Sequence, residues 1–182
     1  MITTNAFILR RYNIRDADRI YTLYTERLGK VEAIATGVRK IKSKLGSHLE
    51  PCSVVAVTLV RGRMGWRLVN ASREQSFFSI HKDLERFALA MTALETVDAL
   101  TKQEYPDQRI FTIIKTLFHD AVTKKETASI EPFLYALLSA LGYRPLPNSI
   151  GPSLFASPLF TDHLHYPLRS VRYRTIDARN AP

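Results

Sequence analysis

The sequence predicts an α+β chain, with an amino-terminal five-stranded β-barrel followed by a small α-helical domain, and two observations carry that expectation. Apolar residues alternate up to residue 79 and recur at three- and four-residue spacing after it. The charge divides at the same place: residues 1–79 hold 14 Lys and Arg against 6 Asp and Glu, whereas residues 80–182 hold 12 against 11. A barrel over 1–79 and a helical domain with a Pro-rich tail over 80–182 are therefore expected.

Five segments read as strands: AFILRRYNI (6–14), RIYTLYT (19–25), KVEAIATGV (30–38), SVVAVTLVR (53–61) and GWRLVNASR (65–73). Gly29, Gly37 and the turn Gly62-Arg63-Met64-Gly65 punctuate them. In the third, Val31, Ala33 and Ala35 share one face and Glu32, Ile34 and Thr36 the other; in the fourth, Val55, Val57 and Leu59 oppose Val54, Ala56 and Thr58. Five short strands are too few for a two-sheet sandwich, and closing them into a barrel removes the exposed edges. An OB-type barrel meets both conditions.

After the boundary, Leu84, Phe87, Met91, Leu94 and Val97 form one helical stripe, and Ile110, Ile113, Ile114, Leu117, Phe118 and Ala121 a second. The turn around Pro106 separates them. A third helix is expected in SIEPFLYALLSALGY, where Ser129 can cap the start, Pro132 is tolerable in the first turn and Gly142 supplies a left-handed stop. Pro145, Pro147, Pro152, Pro158 and Pro167 forbid a continuous helix beyond it, so the tail reads as loop before a short helix in the basic segment LRSVRYRTIDAR.

Composition removes several function classes. The 46% hydrophobic content is enough to bury a core, and no apolar run reaches the roughly 18 residues of a membrane span. The start, MITTNAFILRRYNIRD, lacks the charged head and apolar centre of a secretory signal, so a cytoplasmic location is expected. The lone Cys52 excludes an internal disulfide framework or a cysteine-rich zinc knuckle and is expected to be a buried thiol. His119, Asp120, His163 and His165 match no ligand spacing, and there is no Gly-rich phosphate loop. Asp16, Asp18, Asp83 and Glu85 read as surface and helix-start charges. No catalytic residue, metal site or cofactor is expected; a metal-dependent nuclease is the alternative from a different class.

The excess of cations in the first half suggests a polyanionic partner. The stretch ATGVRKIKSKLGSHLEP (35–51) places Arg39, Lys40, Lys42 and Lys44 in the connection between the third and fourth strands. Such a run is either a solvated loop or a set of phosphate contacts, and its neighbours favour the latter. Arg10, Arg11 and Arg15 lie on or just after the first strand, and Arg61, Arg63 and Arg67 flank the fourth-to-fifth turn. A barrel with cations on several connections can form a continuous groove that tracks phosphates. Bases stack on exposed rings for roughly 1–3 kcal/mol each, and Tyr12, Tyr21, Tyr24 and Trp66 are the candidates. A barrel this small fills its interior with large side chains, so half or more of these rings belong to the core. Tyr12 ranks first because it follows Arg10 and Arg11. A membrane surface is disfavoured, since the first half has no strongly basic amphipathic helix.

The order AFILRRYNIRDADRIYTLYTERLGKVEAIATGVRKIKSKLGSHLEPCSVV resembles the amino-terminal domain of the RecO family of bacterial recombination mediators. The features that carry this are an apolar first strand, the segment from Asp18 to the Gly29-Lys30 pair, and the basic loop from Gly37 to Pro51. The resemblance continues through HKDLERFALAMTALETVDAL and LYALLSALGYRP, and returns weakly in DHLHYPLRSVRYR. It implies an OB barrel and a helical domain that bind single- and double-stranded DNA and anneal complementary strands. The implied partners are RecR, the carboxy-terminal tail of the single-stranded DNA-binding protein SSB and, indirectly, the RecA recombinase. The implied setting is the bacterial cytoplasm, associated with the nucleoid.

Carried over by position, the family's DNA-contacting loop falls on Arg39, Lys40, Lys42 and Lys44. Lys115, Lys124, Lys125, Arg144, Arg169, Arg172 and Arg174 would rim a pocket for the acidic, aromatic-ended SSB tail. One departure stands out. Many members insert a four-cysteine zinc module after a Gly-Tyr-x-Pro element, whereas the residues after Gly142-Tyr143-Arg144-Pro145 contain no cysteine. No stoichiometric zinc is therefore expected. Within the binding class the alternative is an RNA-binding OB protein associated with ribosomes or translation, since stacking and phosphate contacts do not by themselves choose DNA.

Overall fold

The computed structural model describes residues 1–143 apart from Lys42, Lys44, Met64 and residues 125–128. The tail expected beyond Pro145, with Lys125, Arg144, Arg169, Arg172 and Arg174, lies outside the described residues. Five strands, β1 (Ile2–Ile14), β2 (Asp18–Thr25), β3 (Gly29–Ala35), β4 (Ser53–Gly62) and β5 (Gly65–Ser76), close in the order β1-β2-β3-β5-β4. All their pairings are antiparallel except β3 with β5. This is the predicted OB-type barrel, and three helices follow it.

Period-two alternation fills the interior. Val31, Ala33 and Ala35 of β3 and Val55, Val57 and Leu59 of β4 are the inward faces, joined by Ala6, Ile8, Tyr21, Leu23, Leu68 and Ala71. The register of β1 against β2 shifts between Ile8 and Arg10, so Leu9 is an extra residue. A bulge of this kind bends the strand, and it lets one long strand pair with both β2 and β4. The polar start Ile2–Asn5 does not alternate like a strand, yet it lies in register with Leu59–Ala56 of β4. In the connection 36–52, buried Val38 and Leu49 join the barrel core and Leu45 packs against it.

The compact unit that holds the barrel comprises Met1–Phe78 and Thr101–Phe111; the helical unit takes Ser79–Leu100 and resumes at Thr112. The 101–111 segment is fastened to the barrel at several points. The Glu104 N–H donates to the Lys30 carbonyl at 2.8 Å, and Gln103 bridges Lys30 in parallel fashion. The Tyr24 hydroxyl donates to the Asp107 carbonyl at 3.1 Å, and the Phe111 ring lies 5.1 Å from that of Phe7. Glu104 accepts from the Arg61 guanidinium and, at 3.0 Å, from the Trp66 indole N–H. These donors, Arg61 foremost, hold the Glu104 carboxyl below its usual range. Gly29 permits the approach: its φ is +67°, and a Cβ there would stand 2.3 Å from the Tyr105 carbonyl oxygen.

Two buried groups on this unit set a pH limit. Burial pushes the Cys52 thiol up to about 12 from its ordinary 9.0, and it likewise pushes the Tyr24 phenol up to about 12 from 10.0. The folded chain keeps both protons over a range where the unfolded chain releases them. Their contribution is complete below about pH 9 and is lost as pH rises towards 12. The melting temperature is therefore expected to fall steadily above pH 9, and Cys52 to react with a disulfide reagent at pH 8 only when the chain unfolds. A fast native reaction would show that the thiol is reachable.

Of the three helices α1 (Leu84–Leu100), α2 (Gln108–Thr123) and α3 (Glu131–Ala140), the first two start on an aspartate oxygen, and the first turn of α2, to Phe111, belongs to the barrel unit. Asp83 Oδ1 accepts from the Glu85 and Arg86 N–H groups at 3.0 and 3.1 Å, and Asp107 Oδ1 from Arg109 N–H at 2.9 Å. Ser129, expected to cap α3, instead stands one residue before the cap position, which Ile130 takes without a side-chain bond; the Ser129 Oγ accepts from Glu131 N–H at 3.3 Å. Gly142, at φ +90°, ends α3 as predicted: its N–H bonds to the Ser139 carbonyl and that of Tyr143 to Leu138. The stripe predicted for α1 is out of phase at its start. Leu84 is 70% exposed, and the buried face runs through Leu89, Ala90, Ala93, Leu94 and Val97 with Thr92 and Thr96. Those threonines can be buried because their hydroxyls donate to the carbonyls of Ala88 and Thr92, both at 2.7 Å. Arg86 then reaches the end of α2, donating to the Ala121 and Lys124 carbonyls at 2.7 and 3.0 Å.

Candidate nucleic-acid interface

The basic loop folds back on the β1–β2 turn. Asp18, nearly buried at the head of β2, accepts the Gly37 N–H at 2.8 Å. The Arg39 N–H donates to the Ala17 carbonyl at 3.0 Å, and its guanidinium donates to the carbonyls of Asp16 at 3.1 Å and Arg15 at 3.4 Å. Arginine braces the far end of the loop as well. Arg11 donates to the Leu49 carbonyl and to the Glu50 carboxylate at 2.9 Å, and Arg73 donates to the Ser47 carbonyl. Between these braces the chain makes two successive turns, Lys40 N–H to Gly37 and Ser43 N–H to Lys40, which leave Lys40 exposed. Lys42 and Lys44 lie outside the described residues.

The outer face of β1, β2 and β3 carries two cross-strand rows. Strand register sets Tyr12 beside Ile20, Ile20 beside Ile34 and Ile34 beside Arg67 of β5. The second row is Arg10, Thr22 and Glu32. Tyr12 is 39% exposed, Ile20 and Ile34 are half-buried and Arg67 is exposed. The Arg10 guanidinium stands 5.9 Å from the Tyr12 ring centre and 3.6 Å from a Glu32 carboxylate oxygen. Partial burial, followed by the Glu32 charge, pushes the Tyr12 phenol up.

The candidate side chains thus divide by what they already hold. Arg10 and Tyr12 share the outer face. Arg15 and Lys40 are exposed on the two turns that Arg39 joins. Arg11, Arg39 and Arg61 are engaged in bracing contacts, and Arg63 is exposed in the β4–β5 turn. Of the four candidate rings, Tyr21 and Tyr24 are fully buried, Trp66 packs against the core and the Arg61 guanidinium covers it at 5.0 Å. Tyr12 is the exposed one. Sequence reasoning missed Ile20 and Thr22 on this face and the Arg73 brace; alternation with the inward Tyr21 and Leu23 was the signal available for the first two. A half-apolar strip with an open ring and guanidinium groups at its borders suits a ligand made of flat bases on a phosphate backbone. Among the described residues no group of three or more His, Cys, Asp or Glu could hold a metal ion, and no helix is long and apolar enough to cross a membrane.

Comparison with known proteins agrees with this architecture. Residues 1–73 match the family model for the recombination protein O N terminal domain, and residues 81–149 match that for its C terminal domain. Three relatives bear the name DNA repair protein RecO. That of Alkaliphilus metalliredigens is 28% identical over 149 residues, covering 80% of this chain and 60% of the relative. That of Roseiflexus sp. strain RS-1 is 34% identical over 143 residues, covering 78% and 50%. That of Symbiobacterium thermophilum is 32% identical over 149 residues, covering 80% and 58%. The chain spans between half and three-fifths of the length of these relatives. With a family domain matched on each half, and a closed five-stranded barrel preceding three helices, the chain belongs to the RecO family.

Proposed function

We propose that this chain is a DNA-repair protein acting as a non-catalytic recombination mediator. It binds single- and double-stranded DNA, anneals complementary strands and, with RecR and the carboxy-terminal tail of SSB, assists loading of the RecA recombinase. Its site of action is the bacterial cytoplasm at the nucleoid. Residues 1–79 hold the DNA, and residues 80–182 supply the partner contacts. The observation that carries this reading is the outer strip of the barrel, where Tyr12 lies open between Arg10 and, across Ile20 and Ile34, Arg67, in a chain of the RecO family. Bases stack on the ring while the cations hold phosphates, which positions a strand without reading its sequence. Arg15, Lys40, Lys42, Lys44, Arg61 and Arg63 extend the phosphate path.

The test is strand annealing on SSB-coated complementary oligonucleotides. The chain is expected to accelerate duplex formation, and to lose that effect as salt rises. Binding to RNA oligomers in preference to DNA of the same sequence, with no annealing, would assign it instead to RNA.

A further inference from the structure

The second cross-strand row has a feature that ordinary barrel packing does not explain. Thr22 lies between the inward-facing Tyr21 and Leu23, so its side chain is on the outer face, in register with Arg10 on one side and Glu32 on the other. It is nevertheless only 1% exposed. Arg10 from β1 meets Glu32 from β3 across β2, and their 3.6 Å ion pair roofs the threonine. Under that roof the Thr22 Oγ1 has no hydrogen-bond partner. A buried hydroxyl without a partner is destabilising, and valine, of nearly the same shape and a good strand former, would avoid the penalty. The roof itself is weak. Both side chains are well exposed, at 42% and 37%, and such pairs add little to stability.

We infer that the Arg10–Glu32 pair is an openable cover on a phosphate subsite whose second ligand is the Thr22 hydroxyl. This deepens the proposed function and rests on it. A backbone phosphate of a single strand draws the Arg10 guanidinium from Glu32, because an anion with several acceptor oxygens makes stronger charge-assisted bonds than a carboxylate 3.6 Å away. With the cover open, Thr22 Oγ1–H donates to the same phosphate and gains the partner it lacks in the free chain. Glu32, left beside the phosphate, opposes binding and favours release. That opposition suits a protein that must let strands go once they pair.

Three variants of the full chain test this with a fluorescent single-stranded DNA oligomer titrated at several salt concentrations, alongside thermal melting. Thr22→Val is expected to melt at the same or a higher temperature and yet bind about 10- to 100-fold more weakly, the loss of one hydrogen bond to a charged group. Thr22→Ser, which keeps the hydroxyl, should bind like the wild type. Glu32→Gln should bind more tightly, since no freed carboxylate is then left facing the phosphate, while the slope of log K against log salt stays that of the same number of phosphate contacts. Wild-type affinity in Thr22→Val, or unchanged affinity in Glu32→Gln, would overturn the subsite. A wild-type chain that fails to bind the oligomer would overturn the DNA-binding reading itself.

Discussion

Replacing Gly29 by alanine is expected to lower the free energy of unfolding by about 2–5 kcal/mol, the sum of left-handed backbone strain and overpacking. The φ of +67° disfavours any residue with a Cβ. A methyl group would also be driven to 2.3 Å from the Tyr105 carbonyl oxygen and 2.8 Å from the Pro106 nitrogen, both of them backbone atoms. Backbone cannot rotate aside as a flexible side chain does. Either the 101–111 segment lifts, breaking the Glu104 to Lys30 bond and its contacts with Arg61 and Trp66, or the β2–β3 turn distorts. Gly37→Ala is the control. Its φ is +69°, but its Cβ would meet only Lys40 side-chain carbons at 3.7 Å, so it incurs the backbone strain of about 1–2 kcal/mol alone. Urea unfolding of the two variants measures the difference. Equal losses would show that the segment yields without cost.

The second large effect concerns salt dependence. If Lys40, Lys42 and Lys44 each neutralise one phosphate, changing all three to alanine should flatten the single-strand slope of log K against log salt by about 2.1, or about 0.7 per contact. The loss should be similar for any base composition, and annealing should fall in parallel. Stability should hardly change for exposed Lys40. Arg39 belongs in a separate variant. By sequence it is a fourth equal cation, raising the expected change to about 2.8. Its guanidinium, however, holds the carbonyls of Arg15 and Asp16. Arg39→Ala is therefore expected to cost about 1–2 kcal/mol of stability as well, through lost bracing of the loop. An unchanged slope in a well-folded triple variant would show that the lysines are only solvated, and would move the backbone contacts to Arg10, Arg61, Arg63 and Arg67.

The barrel was legible because burial on one face writes itself into every second residue: Val31, Ala33 and Ala35 are inward as their alternation predicts. The polar start of β1 was not, since its place follows from pairing with β4 rather than from its own pattern. On α1, spacing alone suggested that Leu84 begins the buried stripe, but a helix end can hold an apolar residue in solvent, and back-bonded threonines took places in the core. The candidate interface was half legible. Tyr12 could be singled out from its neighbours Arg10 and Arg11, whereas the division between bracing and exposed cations could not. Arg39 and Lys40 look alike in a charge run, and the carbonyls that engage Arg39 belong to a turn more than twenty residues away. The Arg10–Thr22–Glu32 row likewise needs the register of three strands to be seen.

The discontinuity of the barrel unit also bears on how the chain is made. β5 ends at Ser76, but the strip that covers Gly29, Tyr24 and Trp66 is not complete until Phe111. At ordinary elongation rates the ribosome needs about 2–7 s for that stretch. Throughout that interval a nascent barrel has all its strands yet presents the Phe7 ring without Phe111, the Tyr24 hydroxyl without its acceptor and the Trp66 indole without Glu104. Emergence of the first helix does not end this exposure, because the missing strip follows that helix. The newborn chain is thus most open to self-association after its last strand has formed, and closes that window only when the turn beyond α1 leaves the exit tunnel.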